Sequence, residues 1–285
     1  MAGPLAGDKP NVLFLMADDL RPELGCYGAG HVISPNIDRL AKRGRMFEHA
    51  YCQQALCNPS RASMLTGLRP DSLGIWNLPT HLRQRRPGIV TLPQHFRNNG
   101  YFTECVGKIF HNWRQDIHGD PQSWSVPQFM HYARHDDDKP RVEGKPPGNE
   151  IKLPRSTIRD VPDEAYFDGR IATRAIESLR GLKKNRKPFF LAVGFWKPHL
   201  PFNAPKRYWN LYDPAKVKLP ESLAKPANGP DIALHDSREL LRAFGGRKPS
   251  PRDIRELRRG YYAATTYMDA QVGRVLDELD RKSVV

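Results

Sequence analysis

Four short clusters in this sequence combine residue types that do polar chemistry. Asp18 and Asp19 are adjacent carboxylates directly after an apolar run, a place suited to a hard cation or a general base. A turn-forming acidic pair is the plain alternative. Cys57-Asn-Pro-Ser-Arg61 sets a cysteine beside a proline-marked helix start. With Pro59 at the first helical position, Asn58 is the expected cap, and Cys57 stands just ahead of an N-terminus whose free N–H groups favour an anion. Arg61, one turn further on, reaches the same point. By composition, Cys-x-Pro-Ser-Arg should arise by chance in on the order of one chain in several hundred of this length. Gly107-Lys108-Ile-Phe-His111 and Lys197-Pro-His199-Leu-Pro-Phe202 each place a lysine and a histidine after another apolar run. Their plain reading is a surface lysine and a structural histidine. In open α/β sheets, ligands gather beyond the carboxyl ends of strands, which is where these residues are expected to lie.

The elements that must position them follow from periodicity. Asn11–Ala17 is a continuous apolar run, the pattern of a strand buried on both faces of a parallel sheet. Tyr101–Val106 and Phe189–Phe195 are further strand candidates, each after a turn signal. Ser34-Pro35 reads as a cap and first helical residue, with Gly44 as the stop. Asp163–Leu182 and Leu257–Leu279 carry apolar residues at helical spacing. Strand, helix, strand implies an α/β domain. Residues 1–10 read as a disordered N-terminal segment and 11–285 as one domain. Arg114–Pro162 has no sustained period and is expected to run over the surface, and Ser283-Val-Val285 is expected to begin a strand.

Composition narrows the classes. The chain has 285 residues and a net charge of +14, with basic surplus in 83–86, 180–187 and 238–259. The plain reading of those stretches is a solvated surface; polyanion binding is the alternative. No nucleic-acid module accompanies them, and no apolar run approaches the ~20 residues that span a bilayer. Four cysteines without C-x-x-C spacing argue against a zinc site or a disulfide scaffold.

The Cys-x-Pro-Ser-Arg cluster resembles the signature of the sulfatase family, in which that cysteine becomes a formylglycine aldehyde. Gly107-Lys108-Ile-Phe-His111 is similar to the family's Gly-Lys-x-x-His element. Asp18-Asp-Leu-Arg-Pro22, Leu24-Gly-Cys-Tyr-Gly28, Ser34-Pro-Asn-Ile-Asp38 and the segment from Phe189 through Lys197-Pro-His199 resemble the iduronate 2-sulfatase branch. The resemblance implies an alkaline-phosphatase-like fold, a mostly parallel sheet flanked by helices, of which this chain is the N-terminal part.

It also implies a division of labour. Asp18, Asp19 and the Cys57-derived oxygen hold Ca²⁺, and the hydrated aldehyde attacks sulfur. Arg61 helps hold that nucleophile, Lys108 stabilises sulfuryl oxygens, His111 accepts a proton and His199 serves the leaving alcohol. Implied partners are a sulfated carbohydrate and a maturation enzyme, with no nucleic acid and no membrane. The resemblance implies an exported protein, as family members commonly are, whose signal peptide is expected to be missing from this chain or already removed. Ca²⁺ takes six to eight oxygen ligands, and the Ser-Asp-His-Gly type segment that completes the family's shell is absent. The expectation is therefore a fragment with weak metal binding and doubtful turnover. The alternatives are a phosphonate monoester or phosphodiester hydrolase, which shares the cysteine signature, and a non-catalytic polyanion binder.

Overall fold

A computed structural model of the protein describes residues 9–111, 115–129, 151–153, 156–185, 187–222, 224, 227–230 and 244–281. Its strands, in chain order, are β1 (Val12–Asp18), β2 (Phe102–Gly107), β3 (Ile151–Leu153), β4 (Ser156–Arg159), β5 (Phe189–Pro198) and β6 (Ala204–Pro205). The helices used below are α1 (Pro35–Arg43), α2 (Cys57–Thr66), α3 (Pro70–Leu73), α4 (Leu82–Arg85), α5 (Leu92–Asn98), α6 (Phe167–Asn185), α7 (Lys206–Trp209) and α8 (Pro251–Arg281). The expected strand over Ser283-Val-Val285 lies outside the described residues.

The main sheet has the order β1-β5-β2, and both pairings are parallel. Side-chain alternation along β5 sorts the core into two layers. Leu191, Val193 and Phe195 pack with Ile171, Ala175 and Leu179 of α6 and with Met268, Val272 and Val275 of α8. Phe190 and Ala192 face the opposite side, against Ala62 and Leu65 of α2 and Phe96 of α5. Helices on both faces of a parallel sheet are the expected α/β architecture. A small second sheet joins β3, β4 and β6.

Full burial, expected for the first strand, holds for β5 but not for β1. Every residue of β5 is buried, whereas Val12 to Ala17 are half-buried. The cause is lateral: among the described residues β1 pairs on one side only, with β5.

Residues 115–129 overturn the expectation of a surface excursion. Ser125 N–H donates to Thr103 O at 2.8 Å, Phe129 N–H to Cys105 O at 3.0 Å, and Gly107 N–H to Phe129 O at 2.7 Å. This stretch therefore closes the outer edge of β2, and it buries Trp124, Ser123 and Asp120. Lack of period in the sequence reflects an edge covered by irregular backbone. Asp120 also takes Arg83 out of the supposed solvated surface through a buried ion pair at 2.8 Å. Arg259, in the third basic stretch, donates to the carbonyls of Tyr212 and Trp209 at 2.9 and 3.2 Å.

The α1 boundaries agree with the proline and glycine signals, but Ser34 does not cap the helix with its side chain. Its hydroxyl accepts from Gly25 N–H and donates to Asp38. The first-turn N–H groups of Asn36 and Ile37 instead donate to the Asp269 carboxylate on α8, at 3.2 and 2.8 Å. A residue distant in sequence thus supplies the cap, which no local pattern reveals. No helix among the described residues is long and apolar enough to cross a membrane.

Candidate active site

The carboxyl ends of β1, β2 and β5 meet at one place, and an irregularity in β5 shapes it. Ala17 is opposite Phe195 but Asp18 is opposite Pro198, so β5 passes two residues without ladder partners on β1. Their N–H groups are satisfied by Asp168, a fully buried carboxylate near the start of α6, at 2.7 Å from Trp196 N and 3.1 Å from Lys197 N. This offset sets the Lys197–Phe202 segment beside the end of β1.

Two glycines allow β2 and β5 to approach there. A Cβ on Gly194 would stand 2.0 Å from Lys108 O, and one on Gly107, whose φ is +85°, would stand 2.1 Å from Gly194 O. Only a residue without a Cβ fits either position.

Asp18 is the electrostatic centre. Its side chain is 4% exposed and lies between two cations, with Arg61 Nη2 at 2.7 Å from Oδ1 and Lys108 Nζ at 2.5 Å from Oδ2. The other terminal nitrogen of Arg61 donates to Lys108 O and Ile109 O at 2.7 and 2.8 Å. Arg61 therefore ties the end of β2 to the end of β1. The geometry gives Lys108 the same carboxylate partner, with Trp196 beneath its ammonium at 5.2 Å.

Cys57 occupies the first position of α2, with Leu56 as the N-cap. The expected Asn58 cap is a correction: Nδ2 of Asn58 donates to Asn77 O and Thr80 O, both at 2.8 Å. Proline is accommodated anywhere in the first turn, where N–H groups have no intrahelical partner, so Pro59 left the boundary open by two residues. The helix terminus does not acidify the thiol. Burial, reinforced by Asp18 and Asp19 against the opposing pull of Lys108 and Arg61, pushes Cys57 up to about 11. It is a protonated thiol at neutral pH and a poor nucleophile as it stands. In the folded protein, exposed Cys52 should be alkylated at pH 8 well before Cys57, and the Cys57 rate should rise about tenfold per pH unit toward 11. Peptide mapping after timed alkylation checks this; equal rates at pH 8 would contradict it.

Asp18, Cys57 and His199 offer ligand atoms that all lie within 4.8 Å of one another. The His199 ring accounts for both nitrogens. Leu200 O can only accept, so Nδ1 at 2.6 Å carries the proton, while Nε2 stands 3.5 Å from Asp19 Oδ2. Asp19 thus joins the group from its solvent side, with its side chain 55% exposed. His111 is buried on the loop after β2, held at its start by Arg61, but it is not in that converging set.

For a divalent cation the fit is partial. Buried Asp18 and half-exposed Asp19 offer hard oxygen donors, whereas a protonated thiol is not a ligand for Ca²⁺. Replacing that sulfur by oxygen would make residues 18, 19 and 57 an all-oxygen donor set, still only part of a calcium shell.

The sulfatase family model matches residues 10–284. The chain belongs to the sulfatase family. Among curated sulfatases it is 38% identical to iduronate 2-sulfatase of Mus musculus, over 98% of this chain and 52% of that protein. It is 39% identical to the Homo sapiens protein of the same name, over 96% and 52%. The chain spans about half the length of these curated relatives. A phosphonate monoester hydrolase from Silicibacter pomeroyi has the same fold, with a TM-score of 0.72 at 24% identity, over 96% of this chain and 60% of that one. The alkaline-phosphatase-like α/β class expected for a sulfatase is thereby met.

Sequence reasoning missed Asp168, Gly194 and Tyr261. A glycine inside an apolar strand marks close backbone approach, so Gly194 carried a readable signal. Asp168 looks like any acidic residue in a first helical turn, and Tyr261 like one more apolar-face residue of a long helix.

Proposed function

We propose that this chain carries the nucleophile and its surroundings for a sulfuric ester hydrolase acting on a sulfated carbohydrate, with a 2-sulfated uronic sugar as the substrate class. The observation supporting it is the convergence of Asp18, Cys57 and His199 at the carboxyl ends of parallel strands. The unreactive thiol supports conversion rather than direct attack by sulfur. Oxidised to formylglycine by a maturation enzyme and hydrated, residue 57 would offer one oxygen to attack sulfur and a second to expel sulfate. A calcium ion held by Asp18, Asp19 and residue 57 would supply positive charge against the sulfuryl oxygens.

The chain's own residues divide the remaining work. Arg61 and Lys108 balance Asp18 and Asp19 in formal charge, so a divalent cation leaves an excess that an anionic ester neutralises. Arg61, bound to both strand ends, fixes the distance between carboxylate and thiol. His199, with Nδ1–H committed to Leu200 O, would need a second proton on Nε2, as imidazolium, and would pass that proton to the leaving oxygen, a role typically worth about 10²–10⁴-fold. His111 would take the proton released from the second hydroxyl.

The test is co-expression with a formylglycine-generating enzyme, peptide mass analysis of residue 57, and sulfate release from a 2-sulfated uronic disaccharide with and without calcium. The expected result is loss of sulfur at residue 57 and, with only part of the calcium shell present, slow calcium-dependent release that Cys57→Ala abolishes. An intact thiol throughout, or release unaffected by Cys57→Ala, overturns the reading. Turnover of a phosphonate monoester in place of the sulfate would reassign the ester class.

A further inference from the structure

Successive side chains of a strand point to opposite faces, so two adjacent carboxylates can serve one site only if the backbone leaves the extended form between them. That departure occurs at Asp19. Its φ of 58° makes it the one non-glycine residue in the left-handed region among the described residues. The conformation is unfavourable for a residue with a Cβ and persists where surroundings impose it.

A single hydroxyl provides that surrounding. Tyr261 of α8 donates its O–H to Asp19 O at 3.1 Å and accepts from Arg21 N–H at 2.7 Å. Donor and acceptor on one oxygen thereby bracket Leu20, which packs into the core beneath α6 and α8. Tyr261 is fixed in turn. Its ring meets Phe202 edge-on, with centroids 5.8 Å apart and planes at 88°, and Phe202 belongs to the segment that carries His199. Burial pushes its hydroxyl up to about 12, so it keeps the proton it donates.

We infer that Tyr261 is a positioning residue: by bracing residues 19–21 it turns the Asp19 carboxylate toward His199. The cation-binding part of this inference rests on the function proposed above; the conformational part does not. Asp18 meets the histidine segment through the ladder at Pro198, and Tyr261 adds a side-chain link between residues 19–21 and Phe202 of that segment.

Tyr261→Phe deletes one oxygen and keeps the ring. Tyr262→Phe is the matched control on the same helix, because its hydroxyl accepts from Arg258 and lies outside the 19–21 bracket. Two measurements on the 285-residue chain decide. In cation-free buffer, amide hydrogen exchange at Arg21 should accelerate at least about tenfold in Tyr261→Phe and stay unchanged in Tyr262→Phe. In calcium titrations by calorimetry, Tyr261→Phe should weaken affinity by about 10–100-fold, the usual range for groups that orient metal ligands, with melting temperature lowered no more than in Tyr262→Phe. Unchanged Arg21 exchange overturns the brace. Equal calcium affinity in the two variants overturns its role toward the site. A wild-type chain that binds calcium too weakly to titrate is what an incomplete shell gives, and the exchange result then decides the brace alone.

Discussion

Arg61→Met should lower unfolding free energy by about 3–5 kcal/mol, the usual consequence of removing one partner from a buried ion pair. The reason is topological as much as electrostatic. Arg61 is the only described side chain that binds the Asp18 carboxylate and the carbonyls of Lys108 and Ile109 together. Its loss takes a donor from two carbonyls and a cationic partner from Asp18. Methionine preserves the apolar stem, so the lost volume contributes little. Urea unfolding with an unchanged m-value should report the difference as a shifted midpoint. A change under about 1 kcal/mol would mean that water replaces the guanidinium and that the strand ends need no tie.

A larger effect is expected at Gly194. An alanine there places a methyl 2.0 Å from a backbone oxygen, and backbone cannot rotate away as a side-chain tip can. Either β2 and β5 separate at their carboxyl ends or the chain fails to fold, a cost beyond the ~4–5 kcal/mol that marks exceptional substitutions. Gly181→Ala supplies the contrast, because nothing lies within 4 Å of its added Cβ in α6. It should stabilise by roughly 0.5–1 kcal/mol through helix propensity. Thermal melts of the two variants side by side should move in opposite directions. A Gly194→Ala protein that melts like the parent would refute the close approach.

What could be read in advance followed a rule. Strands β1, β2 and β5 and helices α1, α6 and α8 announced themselves because burial imposes periodicity on side chains. Three of the polar clusters were legible because each follows an apolar run, and the one around Cys57 because a proline marks a helix start beside it. Most of the links between elements were not. Asp269 caps a helix more than 200 residues away, Asp168 completes an interrupted ladder, and Tyr261 holds a turn in another layer. Each is a polar residue on an amphipathic helix, and its partner is chosen by tertiary packing. The cap of α2 failed for a related reason, since Asn58 bonds loop carbonyls that sequence could not place beside it. Residues 115–129 failed because edge closure uses main-chain groups, which carry no residue signature.

The order of the central sheet has a consequence for biosynthesis. Among the described residues the first and second strands join one sheet through the fifth, which is translated long after Cys57 has left the ribosome. At ordinary translation speeds the thiol therefore spends on the order of ten seconds on a nascent chain that cannot yet enclose it. If residue 57 is converted as proposed, that interval is when a modifying enzyme would have its freest access, before the completed sheet closes around it.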